Sequence, residues 1–238
     1  MFRDQQDQLY EPRNLFIWFV LAFQGGAINT GGFLSVHRFV SHVTGFATLA
    51  GTAGAHRDWS EMIGMLFVPV CFILGAMVAA WAVERRRIMN LNPRYSLVFS
   101  IMLINLSFIA ISGSLGFFGE FGESLSHGRD FFLLFMLSFT CGLQNAVISS
   151  ASGTVIRTTH LTGITTDLGV GLVRLFSIEE GYKQELFANW CRFGIFTSFF
   201  LGSLVGALFY IKFSFFGFYL PVCLCLFVAL RLRAIKKL

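Results

Sequence analysis

SHVTG occupies residues 41–45 of the chain and THLTG residues 159–163. The same polar-and-glycine signature written twice is the mark of a duplicated unit, and the flanks extend it. GAIN (26–29) precedes the first copy and GLQN (142–145) the second. Asn29 pairs with Asn145 at an offset of 116, and Thr44-Gly45 pairs with Thr162-Gly163 at an offset of 118, so two inserted residues reconcile the two registers. Arg38 and Arg157 also precede their histidines, by four and three residues. Each copy reads long apolar run, HxTG, short run, long run, long run.

The rest of the sequence says in which solvent this unit folds. Apolar residues make up 55% of the chain, 30 residues are Phe and only 13% are charged, against about a quarter in a soluble protein. The apolar residues come in long runs rather than in alternation, which points to membrane helices and not to a barrel. The net charge of +5 gathers at the ends of the runs, where it orients a membrane protein, and does not indicate nucleic acid. Cys71, Cys141, Cys191, Cys223 and Cys225 each lie within an apolar run without metal-ligand spacing and read as small buried hydrophobes. No metal or cofactor is expected. The N-terminus, MFRDQQDQLYEPRN, leads into the first run without an A-x-A-like cleavage site, so that span is expected to be retained.

Six runs, roughly 14–36, 61–83, 95–117, 131–154, 188–211 and 214–232, reach the ~20 residues a helix needs to cross a bilayer. Two shorter stretches, 44–55 and 161–175, carry Gly and Thr and are of re-entrant or interfacial length. ERRR at 84–87 and the tail RLRAIKKL should be cytoplasmic by the positive-inside rule. The tail stays inside only if 161–175 enters and leaves on one face. His37, Arg38 and Arg57 then lie outside, a mild count against the arrangement. The expected organisation is a cytoplasmic tail (1–13), a first membrane repeat (14–117), an external loop (118–130), a second repeat (131–232) and a basic cytoplasmic tail (233–238). Three crossings per copy is an odd number, so the second copy enters from the opposite face. The fold class is an all-α polytopic membrane protein of about six transmembrane helices plus two half-helix segments, arranged as two inverted-topology repeats, an architecture common among secondary transporters.

The repeat also names candidate site residues. A re-entrant tip exposes backbone that only protein or a watery cavity can satisfy. Gly45 and Gly163 let the chain turn and pack closely, and Thr44 and Thr162 can cap the helices that follow. Two such N-termini near the midplane would suit a small anionic or polar solute. Asn29, Gln144 and Asn145 lie near the middle of long runs, where an amide either bonds between helices or touches substrate. Asp167 is the one carboxylate in either short stretch, its counterpart being Leu49. It reads as a coupling group paired with Arg157 or His160, or as an interfacial residue. His42 and His160 either titrate near neutrality or are loop residues at the interface. Gly202 and Gly206 form a GxxxG pattern for close packing within the chain or in a homodimer.

Gly142, Gln144 and Asn145, then Arg157-Thr158-Thr159 and Leu161-Thr162-Gly163, give the chain its resemblance to the YoaK-like family of bacterial inner-membrane proteins, a domain of unknown function. The resemblance covers roughly 15–232 and continues in Gly26, Phe33 and Val43-Thr44-Gly45. This chain departs from the family pattern at Asn29, where Asp is common, and at Phe46, where Asn follows Thr-Gly. The resemblance implies an inner-membrane location and about six helices, and no settled substrate.

Three function classes compete. A small transporter or facilitator follows from the repeat. A scaffold or sensor binding a partner protein through its helices is the alternative. An intramembrane enzyme is the weakest, because the chain holds no H-E-x-x-H, no G-x-S-x-G, no nucleotide loop and no carboxylate pair.

Overall fold

The computed structural model describes residues 12–125, 127–152, 160–177 and 181–235. These residues are helical throughout their regular structure: α1 (Pro12–Val36), α2 (Val43–Ala55), α3 (Trp59–Ala82), α4 (Glu84–Ile88), α5 (Tyr95–Ser114), α6 (Gly128–Ser152), α7 (Leu161–Leu175), α8 (Tyr182–Phe213), a 3-10 turn (Ser214–Phe218) and α9 (Tyr219–Ile235). Five helical stretches are long and apolar enough to cross a membrane: 14–36, 59–88, 95–114, 128–150 and 182–232. The fifth holds both α8 and α9.

Helix ends follow local chemistry. Asp58 caps α3, its Oδ1 accepting from the Glu61 amide at 3.0 Å. Asp130 reaches back from the first turn of α6 to the His127 amide at 2.8 Å. These are two halves of the capping-box arrangement. Two ends differ from the hydropathy reading. The helix through the fifth run starts at Tyr182 rather than near 188, because Glu185 and Arg192 support a polar first turn on one face. The sixth starts at Tyr219 rather than 214. The apolar run is continuous there, so hydropathy cannot mark the reversal that Ser214 (φ 49°) and the 3-10 turn make.

The long helices run between two opposite faces. At one face, Arg87 donates to the Ser150 carbonyl near the end of α6 and to the Tyr95 hydroxyl at the start of α5. Ile17, Tyr95, Ile148 and Leu232 line one small cavity at this same end. At the other face, the Gly122 carbonyl accepts from His37 at the end of α1, and Phe121 stacks on Tyr210 near the end of α8. Thus α1 ends and α3 begins on one face, while α6 ends and α8 begins on the other.

The path into α2 is the clearest departure from a simple loop. His37 adopts a left-handed φ of 54°, and the chain then descends along α1. Phe39 stacks on Phe33 with centroids 4.7 Å apart, Val40 lies against Gly32, and Ser41 reaches Asn29. The seven residues from Asn29 to Val36 span about 10 Å at 1.5 Å each. Helix α2 therefore begins about that far inside its face.

Two helix pairs carry the most extensive contacts, α1 with α8 and α3 with α6. Both are parallel pairs, and both use one device. A Cβ on Gly26 would strike the Phe199 carbonyl, and one on Gly202 the Phe23 carbonyl. A Cβ on Gly75 would strike the Phe139 carbonyl, and one on Gly142 the Phe72 carbonyl. Each helix thus carries Phe-x-x-Gly (23–26, 72–75, 139–142, 199–202), and each glycine takes the partner's phenylalanine carbonyl. Ala27 lies 3.0 Å from the Cβ position of Gly206. The GxxxG pattern is therefore used inside the chain.

Leucine at Gly75 or Gly202 drives a side chain into backbone that cannot retreat without separating the pair. We expect each to cost at least the ~1–3 kcal/mol of overpacking and to lower the melting temperature in detergent. Gly51 has open space at its Cβ, so Gly51→Ala should hold or raise it, by ~0.5–1 kcal/mol from helix entropy. Equal melting temperatures for Gly75→Leu and Gly51→Ala would contradict the packing.

Candidate functional site

The Asn29 side chain is the hinge of the first copy. Its Oδ1 accepts from the Val40 amide (3.1 Å), the Ser41 amide (3.3 Å) and the Ser41 hydroxyl (3.1 Å). Backbone descending from a membrane face has no strand or helix to satisfy it, and lipid cannot. One carbonyl oxygen does that work. Only an acceptor is needed, so a carboxylate would serve the same amides. The Asn-for-Asp exchange read in the sequence preserves the clamp.

The tips differ in detail from the sequence expectation. Thr44 and Thr162 do not cap. They are the second residues of α2 and α7, the N-cap positions are His42 and His160, and neither histidine makes a side-chain capping bond. Capping requires a non-helical backbone, which both threonines have already left. Gly45 and Gly163 are likewise inside helices and absent from the positive-φ glycines. In the first copy the turn belongs to His37. His42 packs its ring on the Gly45 Cβ position, its Nδ1 at 2.8 Å, whereas Gly163 has nothing within 4 Å. His42, Thr44, His160 and Thr162 are exposed.

The two short helices are seated differently. Helix α2 is tied at its tip to α1 by Asn29 while its body, through Phe46, Ala50 and Ala53, packs on α3. Helix α7 packs on α8 and buries only Ile164 and Gly171. Asp167 is exposed and makes no ion pair among the described residues. Its candidate partner Arg157 lies outside them.

Between the two glycine-locked pairs runs an antiparallel seam, α1 against α6, and here the buried amides collect. Gln144 is 1% exposed and donates from Nε2 to the Leu21 carbonyl at 2.8 Å, leaving Oε1 without a partner. Gln24, at the midpoint of α1, is 0% exposed, and neither its Oε1 nor its Nε2 has a partner. A helical side chain leans toward the N-terminus over the preceding turn, which for Gln24 is the turn holding Leu21. The two amides therefore face one stretch of seam. Asn145 is buried on α6 beside this region. Asn105 on α5 closes the neighbouring polar contact, donating to the Thr140 hydroxyl at 2.6 Å and the Met136 carbonyl at 2.9 Å.

The sequence reading missed Gln24, whose repeat counterpart is Thr140, not an amide. It also missed a polar cluster on α8, where Arg192 bonds Glu185 at 2.8 Å and Asn189 at 2.6 Å. Gly171 of α7 makes room for all three side chains. The spacing of 185, 189 and 192 puts them on one helix face. It would have been legible had the helix been started early enough.

A family model described as a protein of unknown function (DUF1275) matches residues 17–231, and the chain belongs to that family. No curated protein and no solved structure matches the chain significantly.

Removal of the Asn29 acceptor leaves two backbone amides and a hydroxyl unsatisfied. We expect Asn29→Leu to cost about 1–3 kcal/mol and to speed proteolysis between residues 37 and 42. Asn29→Asp should keep the wild-type melting temperature and digestion pattern. Parallel behaviour of the two variants would contradict the clamp.

Proposed function

We propose that this member of the DUF1275 family is a small secondary transporter or facilitator of the bacterial inner membrane, moving a small polar or anionic solute between two inverted-topology repeats. The observation that carries the reading is the exchange of Phe-x-x-Gly contacts. Positions 23 and 26 map onto 139 and 142 at an offset of 116, and positions 72 and 75 map onto 199 and 202 at 127. The α1–α8 contact thus maps onto the α6–α3 contact, as two halves related by a pseudo-two-fold axis require.

In this reading α1, α3, α5, α6, α8 and α9 are six crossings, with Arg85–Arg87 and both termini on the cytoplasmic side. The two short helices stay on opposite faces. At 13 and 15 residues they reach only about 20 Å, short of the ~30 Å hydrocarbon thickness. Exposed apolar side chains such as Ile63, Met77, Phe200 and Leu208 meet lipid. The α1–α8 and α3–α6 pairs are rigid because their backbones touch. Among the described residues no reciprocal glycine–carbonyl contact crosses the α1–α6 seam, and rocking along it would open the buried amides first to one face and then to the other. The tips carry Thr44-Gly45 and Thr162-Gly163 into the path, with Asn29, His42, Gln144, Asn145 and His160 around it. Asp167 and Arg157 are the candidate coupling pair.

The architecture is checked by thiol accessibility in a variant lacking the native cysteines. A membrane-impermeant reagent applied to intact spheroplasts should label Glu120→Cys and His56→Cys at once, and Asn90→Cys and Ser177→Cys only after permeabilisation. Labelling of His56 and Ser177 from the same side would contradict the inverted arrangement. The activity is checked in proteoliposomes with a panel of small anions and neutral polar solutes. At least one should enter faster than into protein-free vesicles. Entry of none would contradict transport.

A further inference from the structure

The seam offers an unusual chemical environment. No Asp, Glu, Lys or Arg occurs in residues 14–36, 62–82, 95–114, 131–152, 193–211 or 219–230. These are the central stretches of all six long helices. The charged residues of α7 and of the first turns of α8, namely Asp167, Arg174, Lys183, Glu185 and Arg192, lie toward the end where α8 begins, Lys212 lies in the last turn of α8, and Glu185 is already occupied by Arg192. What the Gln24 and Gln144 side chains hold, among the described residues, is three unpaired amide atoms, the acceptors Gln24 Oε1 and Gln144 Oε1 and the donor Gln24 Nε2, all sealed from solvent.

From this we infer that the solute bound at the Gln24–Gln144 seam is a small neutral molecule carrying both hydrogen-bond donors and acceptors, of the amide, urea or polyol class, and not an ion. The inference rests on the transporter reading and names its substrate class. Magnitudes decide it. An ion entering a low-dielectric core without a countercharge faces a Born cost of tens of kcal/mol in the idealised limit. The partial charge at a helix N-terminus returns only about 0.3–2 kcal/mol, and the tips of α2 and α7 offer no more than that each. A neutral amide or polyol meets a much smaller cost, and its own groups complete the three open positions. Unpaired buried amides are costly enough to be rare, so a site that keeps three is matched to something that pairs them. Both side chains are closed off in this conformation. Opening of the α1–α6 seam therefore precedes entry.

The test is osmotic. Proteoliposomes are shrunk by an impermeant solute gradient, and re-swelling is followed by light scattering with urea, acetamide or glycerol on one side and formate or nitrate in parallel experiments. Wild type should speed re-swelling with at least one of the three neutral solutes and leave both anions at the protein-free rate. Gln24→Leu and Gln144→Leu should each slow the neutral flux about tenfold, the factor for one lost hydrogen bond. Folding is checked separately by melting temperature. Gln24→Leu replaces an unpaired buried amide with a side chain of similar size, so its melting temperature should equal or exceed that of wild type. Anion flux without neutral flux would overturn the inference and leave transport standing. Flux of neither class would overturn both. Neutral flux unchanged in a well-folded Gln24→Leu,Gln144→Leu double variant would remove the solute from the seam. Loss of water permeation alone in that double variant, with no solute flux in wild type, would assign the amides to an ordered water and overturn the inference.

Discussion

A glycine pressed against a phenylalanine carbonyl, four times over, is the constraint on which the rest of this molecule depends. Between membrane helices the hydrophobic effect supplies no attraction, since lipid tails are as apolar as leucine, so close backbone approach has to supply it. Gly26 and Gly202 bring α1 and α8 together, and Gly75 and Gly142 do the same for α3 and α6. Because each contact is reciprocal, neither pair can slide or rotate without a Cα striking a carbonyl. The result is two closely packed helix pairs that meet along α1 and α6.

Three of the polar side chains, Asn29, Gln24 and Gln144, lie on or across that boundary. Asn29 belongs to α1, yet it holds the chain that leads to α2, which rests on α3. Gln144 belongs to α6 and donates to a carbonyl of α1. Gln24 faces the same seam with nothing bound to either amide atom. Polar groups inside stiff bodies would be structural ballast. Under the proposed transport, groups placed where two bodies meet would exchange partners as the bodies move, as a site of alternating access requires. The aromatic cluster of Phe121, Tyr210, Phe215 and Phe218 covers the α8–α9 reversal at one face. The chain is thus closed tightly at a turn that does not need to open.

The all-helical fold was largely legible from the apolar runs, because membrane helices advertise themselves by length. The helix ends that escaped were those where hydropathy carries no signal. Ser214–Phe218 turns within an unbroken apolar run, and Tyr182–Phe187 is helical although polar. The Phe-x-x-Gly quartet was visible at fixed offsets but carries no meaning until the partner helices are known. Of the site, the Asn29 and Gln144 amides could be named in advance, but not their tasks. That Asn29 serves as an acceptor for Val40 and Ser41 depends on the left-handed turn at His37, which no local pattern announces. Gln24 was overlooked because its repeat counterpart, Thr140, is not an amide. The threonines of the tips lie one step inside their helices, a shift that is decided by tertiary packing of Phe46 and Ile164 rather than by capping preference.

The central claim is that two glycine-locked bodies move against each other along the α1–α6 seam. Pulsed electron-spin distance measurements test it directly, with spin labels at residues 37 and 212 for the locked α1–α8 pair and at residues 57 and 212 across the seam. The account predicts a single narrow distance for 37–212 in detergent, in lipid and at every solute concentration, and two distances for 57–212 whose populations shift with conditions. A 37–212 distance that broadens or splits while 57–212 stays fixed would contradict it.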